Sequence, residues 1–250
     1  MKENFKNYFS NNSSDYRQFR PSYPEELFYH LAHISPHHEC AWDCATGTGQ
    51  SAIYLAKYFQ KVMATDASEN QIRVAQQAKN VEYSVASAEH SGLADNSVNL
   101  ITVAQALHWF NLVAFTKEVA RILVDQGILA VWTYNVLKIN DEIDRLVHYL
   151  YSELLDSYWP PERRIVESGY QDIHFPFTEL EAPDFEMSEH WSLEQLLGYL
   201  NTWSAVKRFE AETSSNPVDK IASQIASAWG DASHIRKITW PLVLRLWRKP

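Results

Sequence analysis

One short stretch constrains the fold of this chain more than any other: an apolar strand ending in an acid, then a glycine-rich turn and a helix. The stretch spans residues 41–50, and a second strand ends at Asp66. Gly47 and Gly49 let the backbone bend sharply and lie close to a ligand. The helix after them points unpaired N–H groups into the same gap. Asp66 follows Gly47 by 19 residues, near the spacing of roughly 20 at which an acid reaches a ribose. The pattern predicts an adenosine-binding pocket at the carboxyl edge of a parallel sheet.

Two cofactor classes fit this turn. The run from Gly47 to Ala52 also matches the G-x-G-x-x-G/A pattern of nicotinamide- and flavin-binding proteins. However, Asp43 lies two residues before Ala45 at the mouth of the turn, where its negative charge repels a pyrophosphate and attracts an ammonium group. S-adenosylmethionine carries an ammonium and a sulfonium and no phosphate. The charge of Asp43 therefore favours S-adenosylmethionine over NAD.

The run from Asp43 to Gly49 resembles motif I of class I S-adenosylmethionine-dependent methyltransferases, D/E-x-G-x-G-x-G. Ala45 replaces the first glycine of that motif, which is tolerable if the backbone there is extended. The segment 16–24 is similar to the type 11 branch that includes trans-aconitate methyltransferases. Similarity covers about residues 5–135 and returns in 191–206. The resemblance implies a Rossmann-like methyltransferase fold, S-adenosylmethionine as cofactor and methylation of a small molecule.

The acceptor class stays open at this point. The resemblance places a carboxylic acid of the trans-aconitate type first, with O-methylation as the reaction. A hydroxyl, amine or carbon acceptor is the alternative. An NAD-type oxidoreductase and a nucleotide-binding module without catalysis are further alternatives, the second because Ala45 departs from the motif.

Roles in cofactor binding follow from the turn and from the resemblance. Asp43 is expected to bind the methionine ammonium group and Asp66 the ribose hydroxyls. The resemblance implies that Arg20 pairs with the methionine carboxylate, for which a planar guanidinium is suited through two parallel hydrogen bonds. The remaining residues expected around the cofactor are Tyr16, Ala45, Gly47, Gly49, Ala67, Ala88, Glu89 and Gln105.

The segment 105–110 is similar to the strand end that approaches the methyl group. His108 and Gln105 are the candidate catalytic residues, His108 as a base if the acceptor carries a proton. A carboxylate, with a pKa of about 4, is already ionised and needs no base. The residues expected to contact the acceptor are Trp109, Trp203 and Arg208, with Arg245 a second candidate for its anionic groups.

Composition restricts the partners and the compartment. With 250 residues, 46% of them hydrophobic, the chain can form one α/β core with or without a small cap. The 22 basic and 31 acidic residues give a net charge of −9, which argues against a nucleic-acid partner. No apolar run approaches the roughly 18 residues of a membrane span, and the amino terminus lacks a signal-peptide core. These features predict a cytoplasmic enzyme with a small-molecule acceptor and no membrane contact, and no feature indicates an oligomeric state.

Cysteine and histidine spacing predicts neither a disulfide nor a metal site. Cys40 and Cys44 would be about 13 Å apart on an extended strand, too far to bridge. The histidines near the amino end have no acid or cysteine set to complete a metal site, so we expect them to be solvated; they are His30, His33, His37 and His38.

Strands and helices alternate from residue 39 to residue 135, and the alternation breaks beyond that point. This alternation predicts an α/β fold with a doubly wound, seven-stranded, mostly parallel sheet and helical caps. Strands are predicted at 39–44, 61–66, 81–86, 98–104 and 128–134, followed by a sixth inside 136–233 and a seventh at 238–247. Helices are predicted at 24–33, 50–59, 69–79, 112–123, 140–155, 162–167, 192–208 and 218–229. The predicted division is a helical lid at 1–38, a cofactor-binding core at 39–135, a mixed helical cap at 136–233 on the acceptor side and a final strand at 234–250.

Overall fold

The computed structural model describes residues 19–250, so the predicted role of Tyr16 lies outside the described residues. Eight strands form the sheet. They are β1 (Cys40–Cys44), β2 (Lys61–Asp66), β3 (Val81–Val85), β4 (Val98–Ala104), β5 (Leu123–Tyr134), β6 (Thr178–Leu180), β7 (Glu186–Trp191) and β8 (Arg236–Arg248).

Strands β1 to β5 are parallel and lie in the order β3–β2–β1–β4–β5. The long strand β8 runs antiparallel to its neighbours, with its second half paired to β5 and β6 and its first half to β7. The predicted doubly wound, mostly parallel sheet is therefore confirmed. Seven strands form its continuous path, and β7 is an eighth strand off that path.

The α-helices cover both faces of the sheet and form the cap. They are α1 (Glu25–Ile34), α2 (Gln50–Leu55), α3 (Glu69–Arg73), α4 (Leu112–Ile122), α5 (Asp141–Tyr149), α6 (Arg163–Glu167), α7 (Leu193–Asn201), α8 (Ser204–Thr213) and α9 (Asp219–Trp229). Between residues 19 and 250, none of the helices has the length and apolar character needed to cross a membrane.

The hydrophobic core lies on both faces of the sheet. On one face Trp132 is fully buried and packs edge-on against Phe28 of α1. On the other face Trp42 packs against Phe115 of α4. Because both faces are covered, the strand interiors are apolar and polar groups concentrate where the strands end. The strand order reverses between β1 and β4, the position at which open α/β sheets bind ligands.

Helix α3 ends six residues before its predicted end at residue 79. A tertiary contact explains the difference, because the chain leaves the helix to support the turn after β1. The backbone N–H of Gln76 donates to the carbonyl oxygen of Thr48 at 3.0 Å, and the Tyr83 hydroxyl donates to the Gln76 carbonyl at 2.5 Å. Ser68 caps the start of this helix, since its hydroxyl oxygen accepts a hydrogen bond from the backbone N–H of Gln71.

The single helix predicted over 192–208 is wrong, because the chain breaks into α7 and α8 at Trp203. This residue has an extended backbone, with φ −65° and ψ 133°. Its ring is only 6% exposed and packs edge-on against Tyr151 and Tyr199, at centroid distances of 5.8 and 5.9 Å. Burying this large ring against the cap is more favourable than continuing the helix through Trp203. The helical periodicity of the sequence does not show this tertiary contact.

Candidate functional site

A cavity of about 660 Å³ opens at the carboxyl edge of the sheet. Segments that follow five parallel strands line it, which places the cavity at the edge where the sequence predicts a ligand pocket. Cap residues, Trp159 and Trp203 among them, close the opposite side. The lining positions after the strands are Ala45 after β1, Ala67 after β2, 86–89 after β3, Gln105 after β4 and Asn135 after β5.

The turn after β1 has left-handed backbone at alternate residues. The φ angles are 55° at Ala45, 58° at Gly47 and 85° at Gly49. A Cβ atom at Gly49 would lie 2.2 Å from the Tyr83 hydroxyl oxygen, so glycine is required there for space as well as for backbone angle. A Cβ at Gly47, which lines the cavity, would meet no heavy atom within 4 Å. Backbone is therefore exposed to the cavity at Gly47, as close approach of a ligand requires.

Ala45 does not have the extended backbone that the sequence analysis assumed. Its φ of 55° lies in the left-handed region, where a Cβ atom crowds the following carbonyl oxygen. The alanine is tolerated because the turn is anchored from outside: the neighbouring Thr46 N–H donates to the Thr65 carbonyl oxygen at 2.9 Å. The motif favours glycine at this position because the turn needs a left-handed backbone. This chain has the same left-handed backbone with an alanine, which is strained there.

Replacing Ala45 by glycine is expected to stabilise the protein. The change removes left-handed strain of about 1–2 kcal/mol and increases the freedom of the unfolded chain, which costs about 0.4–1 kcal/mol. A net gain of about 0.5–1 kcal/mol in the free energy of unfolding should appear in urea denaturation. Ala120→Gly, inside α4, is the control and should lose about that amount. Equal losses in both variants would contradict the strain at Ala45.

Asp43 lines the cavity and is only 1% exposed. Its two carboxylate oxygens accept hydrogen bonds from Thr46 Oγ1 at 2.5 Å and Thr102 Oγ1 at 2.8 Å. Burial raises the pKa of Asp43 to about 6, against the hydrogen bonds from Thr46, Thr102 and the Ala52 backbone, which favour the charged form. A carboxylate has about four lone-pair sites, so it can still accept from a cation in the cavity.

Asp66 joins the turns that follow β1 and β2. Its carboxylate accepts from the backbone N–H of Gly47 at 2.9 Å and of Ser68 at 2.8 Å. Burial raises its pKa, although both hydrogen bonds oppose that effect. The side chain lines the cavity, and each oxygen keeps a lone pair for a further donor. Asp66 therefore has a structural task, fixing the Gly47 amide, beside its predicted contact with a ribose.

The residues predicted beside the adenine lie together on the β2–β3 side of the cavity. Ala67, Ala88 and Glu89 all line it. One carboxylate oxygen of Glu89 accepts from the backbone N–H of Asn111 at 2.9 Å, which ties the loop after β3 to the start of α4. Gln71 of α3 also lines the cavity.

Arg20 lines the cavity among aromatic rings. Its Nη1 donates to the Tyr134 hydroxyl oxygen at 3.0 Å, and its guanidinium carbon lies 5.7 Å from the centroid of the Tyr199 ring. The ring of Tyr23 lies 6.4 Å from that of Tyr134. The structure thus brings Arg20 to the cavity from a position 23 residues before Asp43 in the chain, as the resemblance implies.

Gln105 has a left-handed backbone, with φ 56°, directly after β4. Its side-chain amide is held by the adjacent strand. Oε1 accepts from Thr133 Oγ1 at 2.7 Å, and Nε2 donates to the Tyr134 carbonyl oxygen at 3.2 Å. Strained residues of this kind cluster at functional sites. The fixed amide makes Gln105 a rigid part of the cavity wall, and a carboxamide does not titrate near neutral pH, so this side chain can position a group but cannot take up its proton.

His108 lines the cavity from a short 3₁₀ helix, Leu107–Trp109. Its Nδ1 lies 3.0 Å from the hydroxyl oxygen of Tyr170. Burial, together with the positive charge of Arg163, lowers the pKa of His108 to about 4, and Glu162 opposes this. Burial also raises the pKa of Tyr170. At neutral pH the imidazole is therefore uncharged, and its affinity for a proton is low.

The predicted acceptor residues divide into two groups. Trp109 and Trp203 line the cavity, but neither of the predicted arginines does. Arg208 donates to the carbonyl oxygen of Tyr158 at 3.0 Å. Arg245 donates to the carbonyl oxygens of Tyr170 and Ile173 and pairs with Glu179. Both arginines hold backbone segments, a role that sequence position could not distinguish from ligand binding.

Sequence reasoning missed Arg163, the first residue of α6, which lines the cavity beside Trp159. Its only sequence signal is the Pro160-Pro161 pair that precedes the helix and fixes where it begins. Asn135 also lines the cavity, and its side-chain oxygen is buried without a hydrogen-bond partner in the described chain. That oxygen is an acceptor available to a ligand donor.

Three of the four histidines near the amino end, His33, His37 and His38, are exposed as predicted, whereas His30 is partly buried. His38 Nε2 lies 2.8 Å from the Ala32 carbonyl oxygen, and burial lowers the pKa of His30. Within residues 19–250, no group of three histidine, cysteine or acidic side chains could hold a metal ion.

Comparison with known proteins identifies the family. A family model described as a methyltransferase domain matches residues 42–131. A Dictyostelium discoideum protein assigned as a methyltransferase is 34% identical over 253 residues, covering 98% of this chain and 96% of its own length. The chain belongs to the class I S-adenosylmethionine-dependent methyltransferases. This methyltransferase is also similar to an Anaeromyxobacter dehalogenans structure assigned as a type II methyltransferase, with 43% identity, coverage of 92% and 98%, and a TM-score of 0.87. An uncharacterised methyltransferase of Schizosaccharomyces pombe is 27% identical over 88% of the chain and 89% of its own length.

The family implies S-adenosylmethionine as the cofactor of this methyltransferase, and the residues of the cavity fit it. Gly47 exposes backbone to the cavity, as an adenosine requires. Two carboxylates, Asp43 and Asp66, and the guanidinium of Arg20 line the same space. These are the charges that complement an ammonium, a ribose and a carboxylate.

Proposed function

We propose that this methyltransferase transfers the methyl group of S-adenosylmethionine to the ionised carboxylate of a small organic acid, giving a methyl ester. The observation that carries the acceptor class is the state of His108. This imidazole has its pKa lowered to about 4, so it is a poor base for a phenol or alcohol. A carboxylate is ionised at neutral pH and needs no base. The resemblance to trans-aconitate methyltransferases supports the same class.

The proposed cofactor roles follow from the charges along the cavity. Asp43 accepts a hydrogen bond from the methionine ammonium group, and Asp66 accepts from the ribose hydroxyls. Arg20 pairs with the methionine carboxylate. Ala67, Ala88 and Glu89 border the adenine, while Gly47 and Gly49 let the backbone approach the cofactor. Gln105, fixed by Thr133, shapes the wall where the methyl group meets the acceptor.

The bound cofactor supplies an activated methyl group: a carboxylate oxygen attacks the methyl carbon, the carbon–sulfur bond breaks, and its electron pair remains on sulfur. No proton is transferred, so the protein has to align the acceptor and exclude water. The rings of Trp109, Trp159 and Trp203 line the cavity and serve the second purpose.

His108→Ala is expected to reduce kcat at pH 7.5 by less than about tenfold, since general base catalysis contributes typically 10²–10⁴-fold. The kcat of the native enzyme should also be flat between pH 6 and 8, because His108, with its pKa lowered to about 4, stays neutral there. Steady-state kinetics against pH measures both. A loss of a hundredfold or more, with a rate that rises with pH, would identify His108 as a base and contradict the carboxylate acceptor.

Transfer of labelled methyl groups tests the proposed function. The purified protein is incubated with methyl-labelled S-adenosylmethionine and matched panels of carboxylic acids, phenols and amines. We expect label in base-labile methyl esters of the acids. Transfer to phenols or amines with none to acids would overturn the acceptor class, and no transfer to any acceptor would favour a binding module without catalysis.

A further inference from the structure

Aromatic and polar contacts hold the guanidinium of Arg163 in place. Its Nε donates to the Tyr151 hydroxyl oxygen at 2.6 Å. The guanidinium carbon lies 5.3 Å from the centroid of the Tyr151 ring and 5.2 Å from that of Trp159. The Tyr151 hydroxyl in turn donates to Glu167 at the end of α6. Two rings and one hydrogen bond therefore fix a side chain that is otherwise long and flexible.

The two terminal amino groups of Arg163 have no hydrogen-bond or ion-pair partner among residues 19–250, although the residue lines the cavity. A guanidinium presents its donors in a planar fork that matches the two oxygens of a carboxylate. The positive charge of Arg163 acts on groups inside the cavity, since it contributes to lowering the pKa of His108. Arg163 is thus a cation oriented for an anionic ligand.

The charged residues that line the cavity near Arg163 limit how many anionic groups a bound acceptor can carry. Arg20 and Arg163 are the two arginines that line the cavity in the described chain, with no lysine beside them. Arg20 is proposed to bind the cofactor, which leaves Arg163 for the acceptor. The adjacent Glu162 lines the cavity too, and its negative charge repels a second anionic group.

The remaining wall near Arg163 is aromatic. Trp159 and Trp203 line the cavity with ring centroids 5.7 Å apart, and Tyr199 packs edge-on against Trp203. Rings of this kind bury an apolar surface and offer few hydrogen bonds. This part of the wall therefore favours an acceptor with an apolar body, and it offers few hydrogen-bond donors to the additional carboxylates of a polyacid.

We propose that Arg163 binds the carboxylate of a monocarboxylic acceptor whose apolar body packs against Trp159 and Trp203. One oxygen is held by the guanidinium while the other is presented to the methyl group. This inference rests on the proposed carboxylate methylation and narrows it, because a tricarboxylate such as trans-aconitate would bring three negative charges to one guanidinium, which has no ion-pair partner among residues 19–250. The ester product has lost the charge, so its attraction to Arg163 is weaker and its release is favoured.

Arg163→Gln tests the anchor, with Arg164→Gln as the matched control on the exposed side of the same helix. Because the acceptor charge is lost during the reaction, Arg163 binds the ground state at least as well as the transition state. We expect KM for cinnamate or octanoate to rise about 10- to 100-fold, the scale of a hydrogen bond to a charged group, with kcat changed less than about threefold. Arg163→Lys should recover part of the loss, and Arg164→Gln should match the native enzyme.

Binding measurements separate this inference from the proposed function. Calorimetric titration of cinnamate into the protein saturated with S-adenosylhomocysteine reports acceptor binding without turnover. Loss of cinnamate binding in Arg163→Gln, with unchanged S-adenosylhomocysteine affinity, supports the anchor. Equal binding by native protein and variant, no binding of any monocarboxylate, or tighter binding of trans-aconitate than of cinnamate would overturn the anchor. Methylation of acids under any of those results would leave the proposed function intact.

Discussion

Asp43→Asn is expected to weaken S-adenosylhomocysteine binding at pH 7.5 by at least a hundredfold, the equivalent of about 3 kcal/mol. Asp43 is 1% exposed, and its proposed partner is the ammonium group of the cofactor. Removing one member of a buried charge pair leaves the other without compensation, which costs about 3–5 kcal/mol. Isothermal titration calorimetry with S-adenosylhomocysteine measures the change directly.

The same substitution should leave the cofactor-free protein at least as stable as the native one. Burial raises the folded-state pKa of Asp43 from 3.8 to about 6. Protonation of Asp43 therefore stabilises the folded state. This stabilisation is fully present below pH 3.8, the pKa of the carboxyl group in the unfolded chain, and is lost as the pH rises through the folded-state pKa of about 6. At about 1.4 kcal/mol per pH unit, ionised Asp43 costs the cofactor-free protein about 3 kcal/mol above pH 6. An asparagine avoids this cost, so Tm at pH 7.5 should not fall.

The pH dependence of binding provides the second test of Asp43. If the ammonium group requires the ionised carboxylate, affinity for S-adenosylhomocysteine should fall about tenfold from pH 7 to pH 5, as follows from a pKa of about 6. The asparagine variant should lack this component. Asp95→Asn, at a carboxylate that is 71% exposed and pairs with Arg121, is the control and should bind as the native protein does. Native-like affinity in Asp43→Asn would remove Asp43 from the cofactor site.

Asp66→Ala is expected to raise the dissociation constant of S-adenosylhomocysteine by about 10- to 150-fold, since a hydrogen bond to a charged group contributes about 1.5–3 kcal/mol. The exposed Asp125→Ala is the matched control. The expected loss has two sources, because Asp66 also accepts from the Gly47 and Ser68 amides. Calorimetry on the variant alone would not separate a lost ribose contact from a loosened turn.

A thermodynamic cycle separates the two sources. Native protein and Asp66→Ala are each titrated with S-adenosylhomocysteine and with its 2′,3′-dideoxy analogue. If the carboxylate contacts the ribose hydroxyls, the two changes are non-additive and the analogue loses much less affinity in the variant. Additive losses would show that Asp66 acts only by holding the turn after β1, and the ribose assignment would be wrong.

Strand positions were predicted well because their patterns are local. The limits of β2 and β4 agree with the predicted ones, since each is an apolar run bounded by polar residues. The early end of α3 and the break at Trp203 were not predicted, because each depends on a distant contact. The Gln76 N–H leaves the helix to bond Thr48, and the Trp203 ring packs on Tyr151, about 50 residues away in the chain. The division into lid, core, cap and final strand stays a prediction.

The residues expected around the cofactor could be brought together from their spacing along the chain, whereas those expected around the acceptor could not. Residues at the ends of successive parallel strands meet at one edge, so Asp43, Asp66 and Gln105 could be grouped before the fold was known. Arg208 and Arg245 were chosen by charge alone, and both hold backbone carbonyls outside the cavity. Arg163, which lies in it, carries no pattern that distinguishes it from the exposed Arg164.

Local patterns in the sequence were sufficient to predict the fold class, the edge of the sheet at which the cavity lies and the acids expected there, because strand periodicity, glycine turns and charge are properties of short segments. The tertiary structure decided what each of those groups is able to do. It set the left-handed backbone of Ala45, the burial that raises the pKa of Asp43 and lowers that of His108, and the position of Arg163 in the cavity wall. These depend on which distant residues surround a group and exclude water from it, and that information is absent from any short stretch of sequence.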